Sequence, residues 1–107
     1  IVFGHSAHVF HGIEVYRGCP IVYAAGDLVD DYYVDPGFRN DHQLLFELEL
    51  GQDGLRRIGL HPVLIKDCQA TLAKGAHFDY IARQMSKLCR DMGTRVQTGG
   101  GRIWIEP

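Results

Sequence analysis

Only one stretch of this chain carries a helical period. Over residues 76–92, Phe78, Ile81, Ala82, Met85, Leu88, Cys89 and Met92 share an apolar arc of roughly 120°, with Asp79, Arg83, Lys87 and Arg90 opposite. Gly93 follows as the stop. Elsewhere the apolar residues alternate in twos or run in short blocks broken by Gly, Pro and Asp, which is the pattern of strands and turns. A chain of 107 residues built this way closes its core by laying the helix on mostly antiparallel strands. The fold class is therefore α+β with one long amphipathic helix, and residues 1–107 make a single domain portion.

Residues 1–3 read as a short buried strand that stops at Gly4. Residues 9–16 and 21–25 read as two strands joined across Arg17-Gly18-Cys19-Pro20. Residues 26–41, rich in Asp, Gly, Pro and Tyr, form a long loop, and long loops in small domains are often functional. Residues 43–50 put Leu44, Phe46, Leu48 and Leu50 on one face and Glu47 and Glu49 on the other. Gly51-Gln52-Asp53-Gly54 turns the chain into residues 55–65, where Pro62 demands an edge position or a break. The helix stripe is expected to pack on this hairpin. Residues 94–97 and 102–105 read as closing strands around Thr98-Gly99-Gly100-Gly101, a turn with no following helix to make it a phosphate loop.

Hydrophobic residues make up 46% and charged residues 22%, so the chain is globular and not disordered. With a net charge of −2 and no Lys/Arg stripe, neither nucleic acid nor anionic lipid is an expected partner. No apolar run is long enough for a membrane segment in this chain. Cys19, Cys68 and Cys89 are widely spaced and odd in number. Free thiols in a reducing compartment follow, so a cytoplasmic location is favoured over one associated with the cell envelope. The chain opens inside an apolar strand, Ile1-Val2-Phe3, which predicts an upstream half of the same domain.

The chemistry concentrates in Gly4-His5-Ser6-Ala7-His8-Val9-Phe10-His11-Gly12-Ile13-Glu14. Neutral imidazole is a common metal ligand, so three histidines directly after an apolar strand are a metal-site candidate; exposed or hydrogen-bonded structural histidines are the alternative. On a continuous strand His5 and His8 would face opposite ways, and they converge only if the chain turns after Phe3, which Gly4 and Ser6 permit.

This run, with Gly12-Ile13-Glu14-Val15-Tyr16-Arg17-Gly18, Pro20-Ile21-Val22-Tyr23 and Gly26-Asp27, resembles the poly-γ-glutamate capsule biosynthesis (CapA) family of bacteria. That family lies in the calcineurin-like metallophosphoesterase superfamily. The resemblance implies the C-terminal half of a two-sheet metallophosphoesterase-like sandwich. It also implies that His5 and His8 are the final metal ligands, spaced Gly-His-x-x-His as in the CapA type instead of the superfamily's commoner Gly-His-x-His. A divalent metal (Mn, Zn, Fe or Mg) is the implied cofactor of the full-length protein. Asp27 stands where the family usually has Asn, and it adds a ligand or a base or caps a turn. The family's upstream Asp-x-His, Gly-Asp and Asn-His motifs are not in this sequence, so no catalytic residue is named.

His11 is a third ligand if the strand turns it inward and a surface residue otherwise. Arg39, in the loop with Asp30, Asp31, Asp35, Asn40 and Asp41, is the best anion binder because its planar fork matches carboxylate or phosphate; the alternative is a solvated loop charge. The implied function is part of a metal-dependent, hydrolase-like protein of capsule or poly-γ-glutamate biosynthesis. Its partners would be the upstream half of its own domain and capsule synthase subunits. The alternative is a non-catalytic structural or binding subunit of a capsule synthase complex.

Overall fold

The structure is a computed structural model that describes residues 1–5, 7–29 and 33–107; Ser6, Asp30 and Asp31, singled out above, lie outside the described residues. In chain order come β1 (Val2–Phe3), β2 (Ile13–Tyr16), β3 (Cys19–Val22), β4 (His42–Gly51), β5 (Gly54–Lys66), β6 (Gln69–Leu72), α1 (Ala76–Arg90), β7 (Gln97–Gly99) and β8 (Arg102–Ile105). One sheet runs β1-β3-β2, with β1 parallel to β3 and β2 antiparallel to it. The second runs β4-β5-β8-β7, with β6 also paired to β5, and is antiparallel throughout. The fold is mixed α+β, mostly antiparallel.

Register explains the core. Leu44 opposes Pro62, Phe46 opposes Leu60, Leu60 opposes Ile103 and Ile58 opposes Ile105, so all of these side chains lie on one face of the larger sheet. Ile81, Met85 and Cys89 of α1 are fully buried against this layer, and Phe10, Ile13, Val22 and Ala25 complete it from the smaller sheet. Each large side chain so buried stabilises the fold by about 1.5–3 kcal/mol. The helix touches β5 and β2, so it docks on both sheets and not on the β4–β5 hairpin alone as expected. Phe46, packed against the core cluster, also meets Phe3 edge-on at 5.3 Å.

Other expectations need correction. Leu48 and Leu50, expected on the covered face, are 40% and 70% exposed, and the ladder shifts register between Glu49 and Leu50. β1 is exposed, not buried, since it forms the open edge of its sheet. The strand expected over 9–16 begins only at Ile13; Phe10 makes a lone bridge to Ala25.

Pro62 neither ends β5 nor sits on an edge strand. It pairs with Leu44, and its carbonyl accepts from Ala73 at 2.8 Å on the other side. The N and carbonyl of a strand residue point the same way, so the absent N–H falls between the end of the β8 pairing, at Leu60, and the start of the β6 pairing, at Val63. β6 itself was not foreseen. Asp67 and Cys68 have φ of 53° and 60°, the pattern of a two-residue hairpin turn, without the Asn-Gly or Asp-Gly signature. The helix closes at Arg90, before Met92, with Gly93 N–H on the Arg90 carbonyl and Thr94 N–H on the Cys89 carbonyl, a Schellman pair.

Candidate functional site

Past β1 the ladder persists for one residue: Gly4 N–H donates to the Val22 carbonyl at 2.7 Å, and the Gly4 carbonyl accepts from Ala25 at 3.1 Å. The chain then leaves the sheet, and His8 takes a left-handed backbone with φ 61°. For a non-glycine residue that conformation costs about 1–2 kcal/mol, so something must hold it.

The holder is Gln43, fully buried near the start of β4. Its amide donates from Nε2 to the His8 carbonyl at 2.8 Å and to the Asn40 carbonyl at 3.0 Å, while its Oε1 accepts the Asp27 N–H at 3.0 Å. Gly26, at φ 79°, is required beside it, because a Cβ there would collide with Gln43 Oε1. Asp27 is thus fixed next to the motif, and its Oδ2 lies 2.9 Å from His8 Nδ1. A carboxylate only accepts, so Nδ1 carries a proton. Asp27 Oδ1 is buried without a hydrogen-bond partner among the described residues.

His8 and His11 line one cleft of about 510 Å³ with Tyr33, Asp35, Phe38 and Asn40. The loop wall is built, not slack. Asp35 Oδ1 accepts from Gly37 and Phe38 N–H at 2.7 and 3.2 Å, and Asn40 ties Asp35 N–H and the Tyr33 carbonyl at 2.7 and 2.9 Å. A second, smaller cleft of about 240 Å³ shares Val9, His11 and Phe38 with the first and adds Arg39, His42, Tyr80 and Gln84.

Arg39 is not the open anion binder its fork suggested. Nε and Nη2 each donate to Asp41 at 2.9 Å, and Nη2 also donates to His42 Nε2 at 2.7 Å. This pairing holds the Asp41 carboxyl below the usual carboxylate range. His42 is buried, with His77 Nδ1 at 3.1 Å from the same Nε2. An arginine can only donate, so the His42 proton sits on Nδ1, which is buried without a partner among the described residues. Burial, with the adjacent Arg39 charge, pushes His42 down to about 4, and it stays neutral.

The structure therefore joins His8 to Asp27 directly, places His11 across the same cleft, and commits Arg39 to a strut in the neighbouring one. His5, just past β1, is exposed and is not part of the cleft wall. Among the described residues no group of three or more His, Cys, Asp or Glu side chains is set to hold a metal ion. No helix among them is long and apolar enough to cross a membrane. Sequence reading missed Gln43 and His42. Gln43 shares strand parity with Glu47 and Glu49 and so reads as a solvent-facing position; nothing local marks it as buried.

A two-sheet α+β domain that presents a carboxylate-held histidine on a loop-walled cleft defines the class of protein. Residues 1–32 match the family described as "Bacterial capsule synthesis protein PGA_cap". Beyond that segment, the chain is similar to a protein of Mycobacterium tuberculosis (strain CDC 1551 / Oshkosh) named probable polyglutamine synthesis accessory protein. Identity is 31% over 103 residues, 92% of this chain and 27% of the relative. The same figures hold for the identically named protein of strain ATCC 25618 / H37Rv. The chain spans about a quarter of the length of these relatives, 27%.

Proposed function

We propose that this chain forms the final ligand-bearing part of a metal-dependent hydrolase of the metallophosphoesterase-like sandwich type, acting in capsule or poly-γ-glutamate synthesis. The observation that carries this reading is the His8–Asp27 pair, 2.9 Å apart, beside a cleft. Histidines that ligate metals commonly donate their second ring nitrogen to a carboxylate, which fixes the tautomer and raises the basicity of the ligating nitrogen. Here Asp27 is that carboxylate, and its buried, unpartnered Oδ1 suits an environment that gains a cation. His8 through Nε2, together with His5, would hold a divalent ion; Mn, Zn, Fe and Mg are the candidates. When bound, such an ion polarises a phosphoryl or similar oxygen and lowers the pKa of bound water. The remaining ligands would come from the upstream half of the domain.

Capsule polymer as the setting is supported by the family match and by the mycobacterial relatives' printed names, which speak of polyglutamine synthesis. The same names say "accessory", which favours a second reading: a non-catalytic subunit of a capsule synthase complex that keeps the fold. The test is metal analysis and phosphodiester hydrolysis on the full-length protein, wild type and His8→Ala. Bound divalent metal, and turnover lost together with it in His8→Ala, is the expected result. A metal-free and inactive wild-type protein that still supports polymer synthesis overturns the hydrolase reading in favour of the subunit.

A further inference from the structure

We propose that Gln43 is the positioning residue of the histidine motif: one buried amide that sets the His8 backbone and the Asp27 carboxylate against each other. A primary amide offers one acceptor oxygen and two N–H donors. Gln43 uses its oxygen on the Asp27 N–H and Nε2 on the carbonyls of His8 and Asn40, so three segments far apart in sequence meet at one side chain. The site leaves it no slack, because Gly26 abuts Oε1 and the residue is fully buried. Two consequences follow for His8. Its left-handed backbone is held by a bond to its own carbonyl. Its ring meets a carboxylate whose own backbone is held by the same amide. The proton on His8 Nδ1 thus depends on a residue of the larger sheet that bonds to the His8 backbone carbonyl. Only the link to metal binding rests on the proposed hydrolase reading; the control of the ring does not.

The test is nitrogen NMR of the imidazoles in the 107-residue chain at mildly alkaline pH, with amide exchange in α1 and β5 as the control for folding. The wild type is expected to show His8 as the Nδ1–H tautomer. Gln43→Leu should lower the Nδ1–H population of His8 below that of the wild type while protection in α1 and β5 persists. Gln43→Glu, near-isosteric, keeps an acceptor for Asp27 but loses both donors, and should fall between the two. Zinc alone, titrated in the same samples, should bind the Gln43 variants roughly 10–100-fold more weakly than the wild type.

A wild-type His8 without the Nδ1–H tautomer overturns the proposal. So does a Gln43→Leu or Gln43→Glu chain that is folded yet keeps the wild-type His8 signature. If Gln43→Leu unfolds, Gln43→Glu alone decides. Should the tautomer follow Gln43 while the full-length wild-type protein holds no metal, the hydrolase reading fails and the positioning role stands.

Discussion

The backbone of Gly12 lies directly against that of Leu88: a Cβ on Gly12 would stand 2.5 Å from the Leu88 carbonyl oxygen and 2.8 Å from its carbon. One residue on, the Ile13 N–H donates to Cys89 Sγ at 3.3 Å. These contacts set β2 on the helix, so the glycine that follows the histidine motif serves docking, not chemistry. Gly12→Ala should force α1 away from β2 and destabilise the chain by about 1–3 kcal/mol. A thermal melt measures it; an unchanged midpoint would mean that helix and strand have room this geometry denies.

Met85 sits at the centre of the core with no exposed surface. Met85→Asp would bury an unpaired carboxylate against Ile58, Leu60 and Ile103, a change among the most destabilising a point substitution makes. The variant is expected to be unfolded by circular dichroism, whereas Met85→Leu, which conserves volume, should lose less than about 1.5 kcal/mol. A cooperative wild-type melt for Met85→Asp would reject the packing described.

His42 makes stability depend on pH. Its folded value, about 4, lies below the ordinary 6.5, so between those values the unfolded chain binds a proton that the folded chain refuses. Stability is therefore full above 6.5 and falls as the pH drops toward 4, by at most about 3 kcal/mol from this residue. Asp41, lowered by Arg39, adds a further loss once the pH falls through the carboxylate range. Urea unfolding across the window checks both. His42→Phe should flatten the slope in the upper part and leave the acid loss from Asp41; an equal slope in wild type and His42→Phe would rule out the neutral, buried histidine.

This chain by itself should bind manganese weakly and hydrolyse no phosphodiester. A catalytic metal needs about three protein ligands and an open position, and no such group exists among the described residues. Mn and Mg prefer oxygen donors, while zinc tolerates imidazole. Titration calorimetry with Mn and Zn, beside a generic phosphodiester assay, gives the readout. Sub-micromolar Mn binding, or turnover abolished by His8→Ala, would show that the chain assembles a complete site.

Periodicity alone determined much of this molecule. The helix expected over residues 76–92 and found over Ala76–Arg90, the β4–β5 hairpin and the Gly93 stop could be read directly, because apolar spacing and glycine placement act within a few residues. His8 and Asp27 came forward as candidates through a short motif and its resemblance, not through periodicity. Only the tertiary structure decided what depends on distant neighbours. Leu44 is buried and Leu50 exposed although both have the same strand parity, and the pairing shifts register just before Leu50. Pro62 sits inside a paired strand because its missing N–H meets a gap between two other strands. Arg39 has Nε and Nη2 committed to Asp41 and His42, so much of a fork that looks ready for an anion is already engaged. Gln43, identical in strand parity to two exposed glutamates, becomes the buried clamp of the site because residues 8, 27 and 40 arrive around it. Local sequence sets which groups a residue can offer; only the long-range fold sets which partners arrive to take them.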